Sequence, residues 1–194
     1  MTTAREILAQ PPARAARELL GTVLVRRFDD GRVVRARIVE TEAYLGAGDP
    51  AAHSFRGRTP RTAPIWGPPG TVYVYFIYGM YHCLNVAVDA EDVPGCVLIR
   101  AAEPLPGSGL APLDLRGPGR LCRALAIDTG MSGLSLFTRG GPLGLTAGAR
   151  PAHIGVSPRI GIRLAAELPL RFFDPGSPAV SRAAGGLRRG PRTR

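Results

Sequence analysis

The chain has no lysine: all 25 of its basic residues are arginine. No side-chain amine is therefore available for Schiff-base chemistry. Cysteine is scarce and dispersed, at Cys83, Cys96 and Cys122, with no C-x-x-C pair. Thiols in such apolar surroundings are expected to be buried. His53, His82 and His153 stand at no metal-ligand spacing to them, so neither a metal site nor a cofactor is expected. No run approaches the roughly 18 apolar residues of a membrane span. The N-terminus (Met1-Thr2-Thr3-Ala4-Arg5-Glu6) lacks the apolar segment of a signal peptide, which makes the cytoplasm the default location. No internal repeat is present.

What remains is a basic chain with enough apolar residues for a core. It has 194 residues, 45% of them hydrophobic, and a net charge of +10. That length fits one domain, read as residues 1–181. The last stretch, from Ser181 to Arg194, carries five arginines without hydrophobic balance. Residues 182–194 therefore read as a basic, disordered tail. Arginine binds phosphate through a planar fork, so excess arginine charge makes nucleic acid the leading partner class.

The organising stretch is Arg37-Ile38-Val39-Glu40-Thr41-Glu42-Ala43-Tyr44. Its β-branched residues favour a strand, and strict alternation puts Glu40, Glu42 and Tyr44 on one face and Val39, Thr41 and Ala43 on the other. Under partial cover the pKa of Glu42 would rise toward the range of a general base. On these residues alone, a solvated strand face with two surface carboxylates is the ordinary alternative.

Upstream, Pro11-Pro12 can open a helix over Ala13–Leu20, stopped by Gly21. A hairpin follows, with Thr22–Phe28 and Val33–Tyr44 joined through Asp29-Asp30-Gly31. Downstream, Gly46–Gly70 reads as loop. It carries His53 and the basic run Arg56-Gly57-Arg58-Thr59-Pro60-Arg61, which could hold phosphates or simply be solvated. Thr71–Ile77 and Tyr81–Asp89 read as strands of a second hairpin with Tyr78 at its tip. Tyr73, Tyr75, Tyr78 and Tyr81 fall within nine residues of a chain that has five tyrosines. An exposed tip aromatic can act as a wedge between base pairs, or pack near a turn. Cys96–Arg100 is a buried-type strand whose terminal arginine needs an anion, carboxylate or phosphate. Pro104–Gly119 reads as loop, Arg120–Ile127 as helix, Gly130–Gly148 as short strands and turns, and Ile154–Leu164 and Leu170–Phe173 as further strands.

Taken together, these pieces resemble the alkyladenine (3-methyladenine) DNA glycosylase family, in its bacterial form. The carriers are Val39-Glu40-Thr41-Glu42-Ala43-Tyr44-Leu45-Gly46, Ala51-Ala52-His53-Ser54, Arg58-Thr59-Pro60-Arg61 and Pro69-Gly70-Thr71-Val72-Tyr73-Val74-Tyr75. They continue with Ile77-Tyr78-Gly79-Met80-Tyr81, Asn85 and Val97-Leu98-Ile99-Arg100-Ala101. The likeness extends from about Ala13 to Ser181. It implies a mixed α/β (α+β) single domain: a curved, mostly antiparallel sheet flanked by helices, with a protruding β-hairpin.

The resemblance also implies a reaction, excision of alkylated or deaminated purines (3-methyladenine, hypoxanthine, ethenoadenine) from double-stranded DNA by hydrolysis of the N-glycosidic bond. Without lysine the abasic site would be left uncut, the outcome of a monofunctional enzyme. The implied roles are Glu42 as general base and Arg100 beside the water. Tyr44 would stack on one face of the flipped base, with His53 and Tyr75 on the other, and Asn85 would crowd the 2-amino group of guanine. Tyr78 would fill the gap in the duplex, while Thr59, Arg61 and Arg58 would contact phosphates. A monomer bound to the nucleoid is expected. Ile65 and Trp66 depart from the family's usual Met-Phe pair beside the wedge, and the loop between His53 and Thr59 is one residue short. Two other readings stay open, a non-catalytic lesion binder of the same fold and an RNA-binding β protein with a tyrosine platform.

Overall fold

Two short helices open the described chain, residues 2–181 of this computed structural model. The expected basic tail lies outside the described residues. Helix α1 (Ala4–Leu8) was not expected, although Thr3-x-x-Glu6 is a capping box: Thr3 Oγ1 accepts from Glu6 N–H, and Glu6 accepts from Thr3 N–H at 2.6 Å. Helix α2 (Pro12–Leu19) begins on proline at its first turn and turns Ala15, Ala16 and Leu19 inward.

The strands that follow are β1 (Val23–Arg27), β2 (Val33–Tyr44), β3 (Val72–Ile77), β4 (Tyr81–Ala87) and β5 (Cys96–Pro104). After helix α3 (Pro118–Ala124) come β6 (Leu143–Thr146), β7 (Gly155–Ser157) and β8 (Arg171–Phe173). All pairings are antiparallel. The order is β3-β4-β5-β2-β1-β6, with β8 joining the upper half of β2 and β7 joining β8. The segment before β6 also runs beside the start of β3, where Val72 N–H donates to Leu134 O at 2.8 Å and Leu136 N–H to Gly70 O at 3.0 Å. That contact draws the two margins of the sheet toward each other and curls it into a half-barrel. The three helices cover one face. Leu8, Leu19, Leu121 and Leu125 meet Ile38, Ala43, Val97 and Ile99 in the main core. The mixed α/β fold with a curled antiparallel sheet is as the resemblance implied.

The expected alternation in β2 needs correction. Val34, Ala36 and Ile38 face the helix-covered core, and so do Thr41 and Ala43: the parity changes between them. The cause is a pair of bulges. In β2, Ile38 pairs with Ala102 and Glu40 with Ala101, which leaves Val39 extra. In β5, Ala101 pairs with Glu40 and Ile99 with Thr41, which leaves Arg100 extra. Val39 does not share a face with Thr41 and Ala43 but packs with Ala101 and Ala179 in a separate small cluster. The two bulges cancel in register while each flips its strand over.

Strand structure over Ile154–Leu164 shrinks to Gly155–Ser157. Pro158 ends it, and residues 159–170 are the irregular loop that joins β7 to β8. At the other end of β2, Gly46 adopts φ +84°, and a Cβ there would run into the Pro94 carbonyl. Gly46→Ala is expected to lose about 2 kcal/mol or more of stability in denaturant unfolding, since strain and overlap act together. A loss below about 0.5 kcal/mol would show that the turn relaxes freely.

Candidate active site

The bulges bring Glu40, Glu42 and Arg100 together behind a cavity of about 490 Å³. Its lining includes Tyr44, His53, Tyr75, Cys83, Asn85 and Arg100, with Tyr78 and Tyr81 toward the hairpin and Gly117–Arg120 and Ile160–Ile162 closing the sides. This size suits a small planar ligand.

Glu42 has no exposed surface. It sits behind three cavity-lining residues, two that hydrogen-bond to it and one that pairs with it as an ion. Ile160 N–H donates to Oε1 at 2.7 Å, Arg100 Nη1 lies 3.2 Å from the same oxygen, and the Tyr44 hydroxyl donates to Oε2 at 3.0 Å. A carboxylate offers about four acceptor positions, so these contacts leave room for another donor such as water. Burial raises the Glu42 pKa and outweighs the opposing pull of Arg100, Ile160 and Tyr44. Arg100 is desolvated too, but the facing carboxylates of Glu42 and Glu40 hold its pKa above the ordinary value.

Tyr44 owes its position to a second buried pair. Arg159 donates to both Asp49 oxygens and, at 3.0 Å, to Ala43 O, while its guanidinium lies 4.7 Å from the Tyr44 ring centroid. One ring face is thus occupied by Arg159 and the other is left to the cavity. Asp49 is pushed up by burial, but its bonds from Arg159, Leu45 and Ala51 hold it below the ordinary carboxylate range. On the opposite wall His53 and Tyr75 meet edge to face at 4.4 Å, and His53 Nδ1 is 2.8 Å from the Tyr73 hydroxyl. Desolvation, then the charge of Arg61, lowers the His53 pKa, so the ring is neutral at pH 7. Burial pushes the Tyr73 phenol up to about 12 and raises Tyr75 as well. Asn85 is fixed with its Nδ2 donating to Tyr73 O and Cys83 O, both at 3.2 Å. Its carbonyl oxygen is the atom not engaged by these bonds. All three cysteines are free and buried.

Tyr78 tops the β3–β4 hairpin at φ +55°, beside Gly79 at φ +66°. It is 75% exposed, with Met80 and Tyr81 next to it. A non-glycine residue held at positive φ with an exposed ring is a costly arrangement that function can justify.

The sequence matches the profile of the family "Methylpurine-DNA glycosylase (MPG)" over residues 6–178. The chain belongs to this family. Among its relatives, the "Putative 3-methyladenine DNA glycosylase" of Synechococcus elongatus is 51% identical over 177 residues, 91% of this chain and 89% of the relative. A protein of the same description from Methanocella arvoryzae is 42% identical, over 94% of this chain and 96% of its own. The "DNA-3-methyladenine glycosylase" of Mus musculus is 45% identical over 91% of this chain and 60% of the mouse protein.

Of the residues singled out in the sequence, Glu42, Arg100, Tyr44, His53, Tyr75 and Asn85 converge on the one cavity or its back wall, with Tyr78 at its rim. The basic loop is placed less tightly. Thr59 is tied to Thr62 through their hydroxyls at 2.9 Å, Arg58 reaches Asp92 at 3.4 Å, and Arg61 is exposed. Ile65 and Trp66 are not beside Tyr78. Ile65 is fully buried and packs, with Trp66, against Tyr73 and Cys96 near the other end of β3. The sequence reading missed Asp49, and it placed Arg159 and Ile160 in a strand without giving them a role in the site. Their partners are more than a hundred residues away, so nothing local pointed to those roles. No helix among the described residues is long and apolar enough to cross a membrane. Nor do three of their His, Cys, Asp or Glu side chains gather where a metal ion could be held.

A raised Glu42 pKa means that the folded state holds its proton to higher pH than the unfolded chain, whose value is near 4.5. Ionising Glu42 therefore costs the fold stability as pH climbs through the window above 4.5. Glu42→Gln removes that cost. The gain in Tm of this variant over wild type should be larger at about pH 8 than at about pH 4. A Tm difference that stays constant or shrinks with pH would contradict the upward shift.

Proposed function

We propose that the protein is a DNA glycosylase that extrudes a damaged purine from duplex DNA and hydrolyses its N-glycosidic bond. The observation that carries this reading is the buried Glu42–Arg100 pair behind an aromatic cavity, with an exposed tyrosine at the hairpin tip above it. It agrees with the names that the family and its members carry.

A base in the stack is out of reach, so the enzyme must flip it and offset a few kcal/mol of unstacking. Tyr78 enters the gap, and the base slides between Tyr44 and the His53–Tyr75 wall. Asn85 crowds a 2-amino substituent, which disfavours guanine. Thr59, Arg61 and Arg58 meet the phosphates, where arginine charge supplies sequence-independent affinity. Glu42 takes a proton from an enclosed water as the water oxygen bonds to the anomeric carbon. The electrons of the glycosidic bond leave on the purine nitrogen. The carboxylate also faces the positive charge that develops on the sugar, as in glycoside hydrolysis. Alkylated purines that already carry a positive charge leave with little help, and neutral lesions such as hypoxanthine and ethenoadenine depend on the base more. The chain has no lysine for a lyase step, so the product is an intact strand with an abasic site.

Base release from duplexes carrying 3-methyladenine, hypoxanthine or ethenoadenine, measured in single turnover, tests the reading. Glu42→Gln should slow release by about 100-fold or more with lesion binding retained. Release within about tenfold of wild type removes Glu42 as the base. Tight binding by wild type without release of any base would make the protein a lesion binder instead. Tyr78→Ala should weaken binding to a lesion duplex by about tenfold or more, the scale of one lost stacking contact. Unchanged affinity would eliminate the wedge.

A further inference from the structure

Glu40 is fully buried and accepts four hydrogen bonds, yet the chemistry above does not use it. Arg100 Nε reaches its Oε1 at 3.0 Å and Arg171 Nε the same oxygen at 2.7 Å. Ser181 donates from Oγ to Oε1 at 2.7 Å and from N–H to Oε2 at 2.6 Å. Arg100 is consequently split. Its Nε serves Glu40, and only Nη1 addresses Glu42, at the longer distance of 3.2 Å. An arginine left alone with one carboxylate can close a two-bond fork on it, the strongest form of that contact. Here the fork is opened across two carboxylates.

We propose that Glu40 is the positioning residue of this site: by holding Arg100 through Nε, with Arg171 as its counterweight, it limits the positive charge delivered to Glu42. The proposal rests on the reading of Glu42 as the base. An Arg100 devoted to Glu42 would make the carboxylate a good ion-pair partner and a poor proton acceptor. Sharing Arg100 keeps it in place as an anchor and spares the basicity of Glu42. The charged and titratable groups around Glu42 are Tyr44 and Glu40 on β2, Arg100 on β5, Cys83 on β4, Arg171 opposite it on β8, and Arg159 behind Tyr44. Glu40 acts on Glu42 directly through its negative charge and, like Arg171, through the placement of Arg100, and removal of the two should have opposite effects.

The test is the pH dependence of single-turnover base release from a hypoxanthine duplex. Wild type should show an acid limb set by Glu42. In Glu40→Gln, Arg100 turns fully to Glu42, so the limb moves to lower pH by about one unit and the plateau rate falls. In Arg171→Gln, Glu40 draws harder on Arg100, and the limb moves to higher pH. A purely structural Glu40 would lower the rate in both variants without displacing the limbs in opposite senses. Two limbs that coincide with wild type, or that move the same way, overturn the proposal. Should Glu40→Gln fail to fold, Arg171→Gln and Ser181→Ala decide. Each removes a donor from Glu40, and each must move the limb upward, Ser181→Ala by less; no displacement in either overturns it. Glu42→Gln, run alongside, separates the two ideas, because an acid limb that persists in that variant refutes the base assignment itself.

Discussion

Two carboxylates and two guanidiniums share the space behind the cavity, and the upper half of the sheet is built around their mutual neutralisation. Glu40 and Glu42 have no exposed side-chain surface, and Arg100 and Arg171 retain 8% each. Each charge buried alone would cost several kcal/mol, so the cluster is tolerable only because every member finds the opposite sign and further hydrogen bonds. The partners come from β2, β5, β8 and the chain's return at Ser181. The charge cluster therefore ties together segments that are distant in sequence. The same condition explains why residues 174–181 fold back over the sheet, where Arg37 holds Asp174 at 2.8 Å and Arg116 holds Val180 O at 2.9 Å.

Backbone geometry makes this cluster possible. A strand with unbroken alternation would aim Glu40 and Glu42 along with Val34, Ala36 and Ile38 into the apolar core. The extra Val39 in β2 turns the following residues over, and the extra Arg100 in β5 does the same to its neighbour. Because the two insertions compensate, Arg37 still faces Glu103 below the bulges and Glu42 faces Leu98 above them, and the ladder stays in register. A single bulge would have slipped the whole pairing. The second insertion falls on Arg100, so the residue freed from the ladder is the one that reaches both carboxylates.

The legibility of this site in the sequence follows from the range of its contacts. The hairpin strands, the tyrosine-rich β3–β4 pair and the turn at Asp29-Asp30-Gly31 rest on alternation and turn chemistry within a few residues, and these were readable. So were the site residues on single strands, since Glu42 and Tyr44 remain two apart on one face whatever happens before them. The bulges were not readable, because nothing in Ile38-Val39-Glu40 distinguishes an extra residue from a paired one without its partner strand. Arg159 and Ser181 acquire meaning only from contacts with β2 made across most of the chain, and Asp49 only from Arg159. The segment after Pro158 read as strand because its apolar residues alternate, but tertiary packing uses the Ile160 amide as a donor to Glu42.

The division of charge between wall and end gives the cavity its chemical character. His53 is neutral at pH 7, the Tyr73 and Tyr75 phenols are held protonated, and burial likewise keeps the Cys83 thiol uncharged. The aromatic walls can therefore stack on a flat base without discriminating by its charge, since every base presents a π-face. Arg116 just before α3 and Arg120 within it stand among the lining residues, and the Glu42–Arg100 pair lies behind the inner end. Under the proposed reaction, recognition by stacking is then permissive, and selectivity falls on two later hurdles: the shape imposed by Asn85 and the ease with which the base departs. A normal adenine or guanine that enters such a slot is a poor leaving group, so the enclosed carboxylate must not be so strong a catalyst that it removes undamaged bases. Under the same proposal, an arginine that is shared rather than committed spares the basicity of Glu42, and the barrier for sound bases is left to their poor departure and to the shape imposed by Asn85.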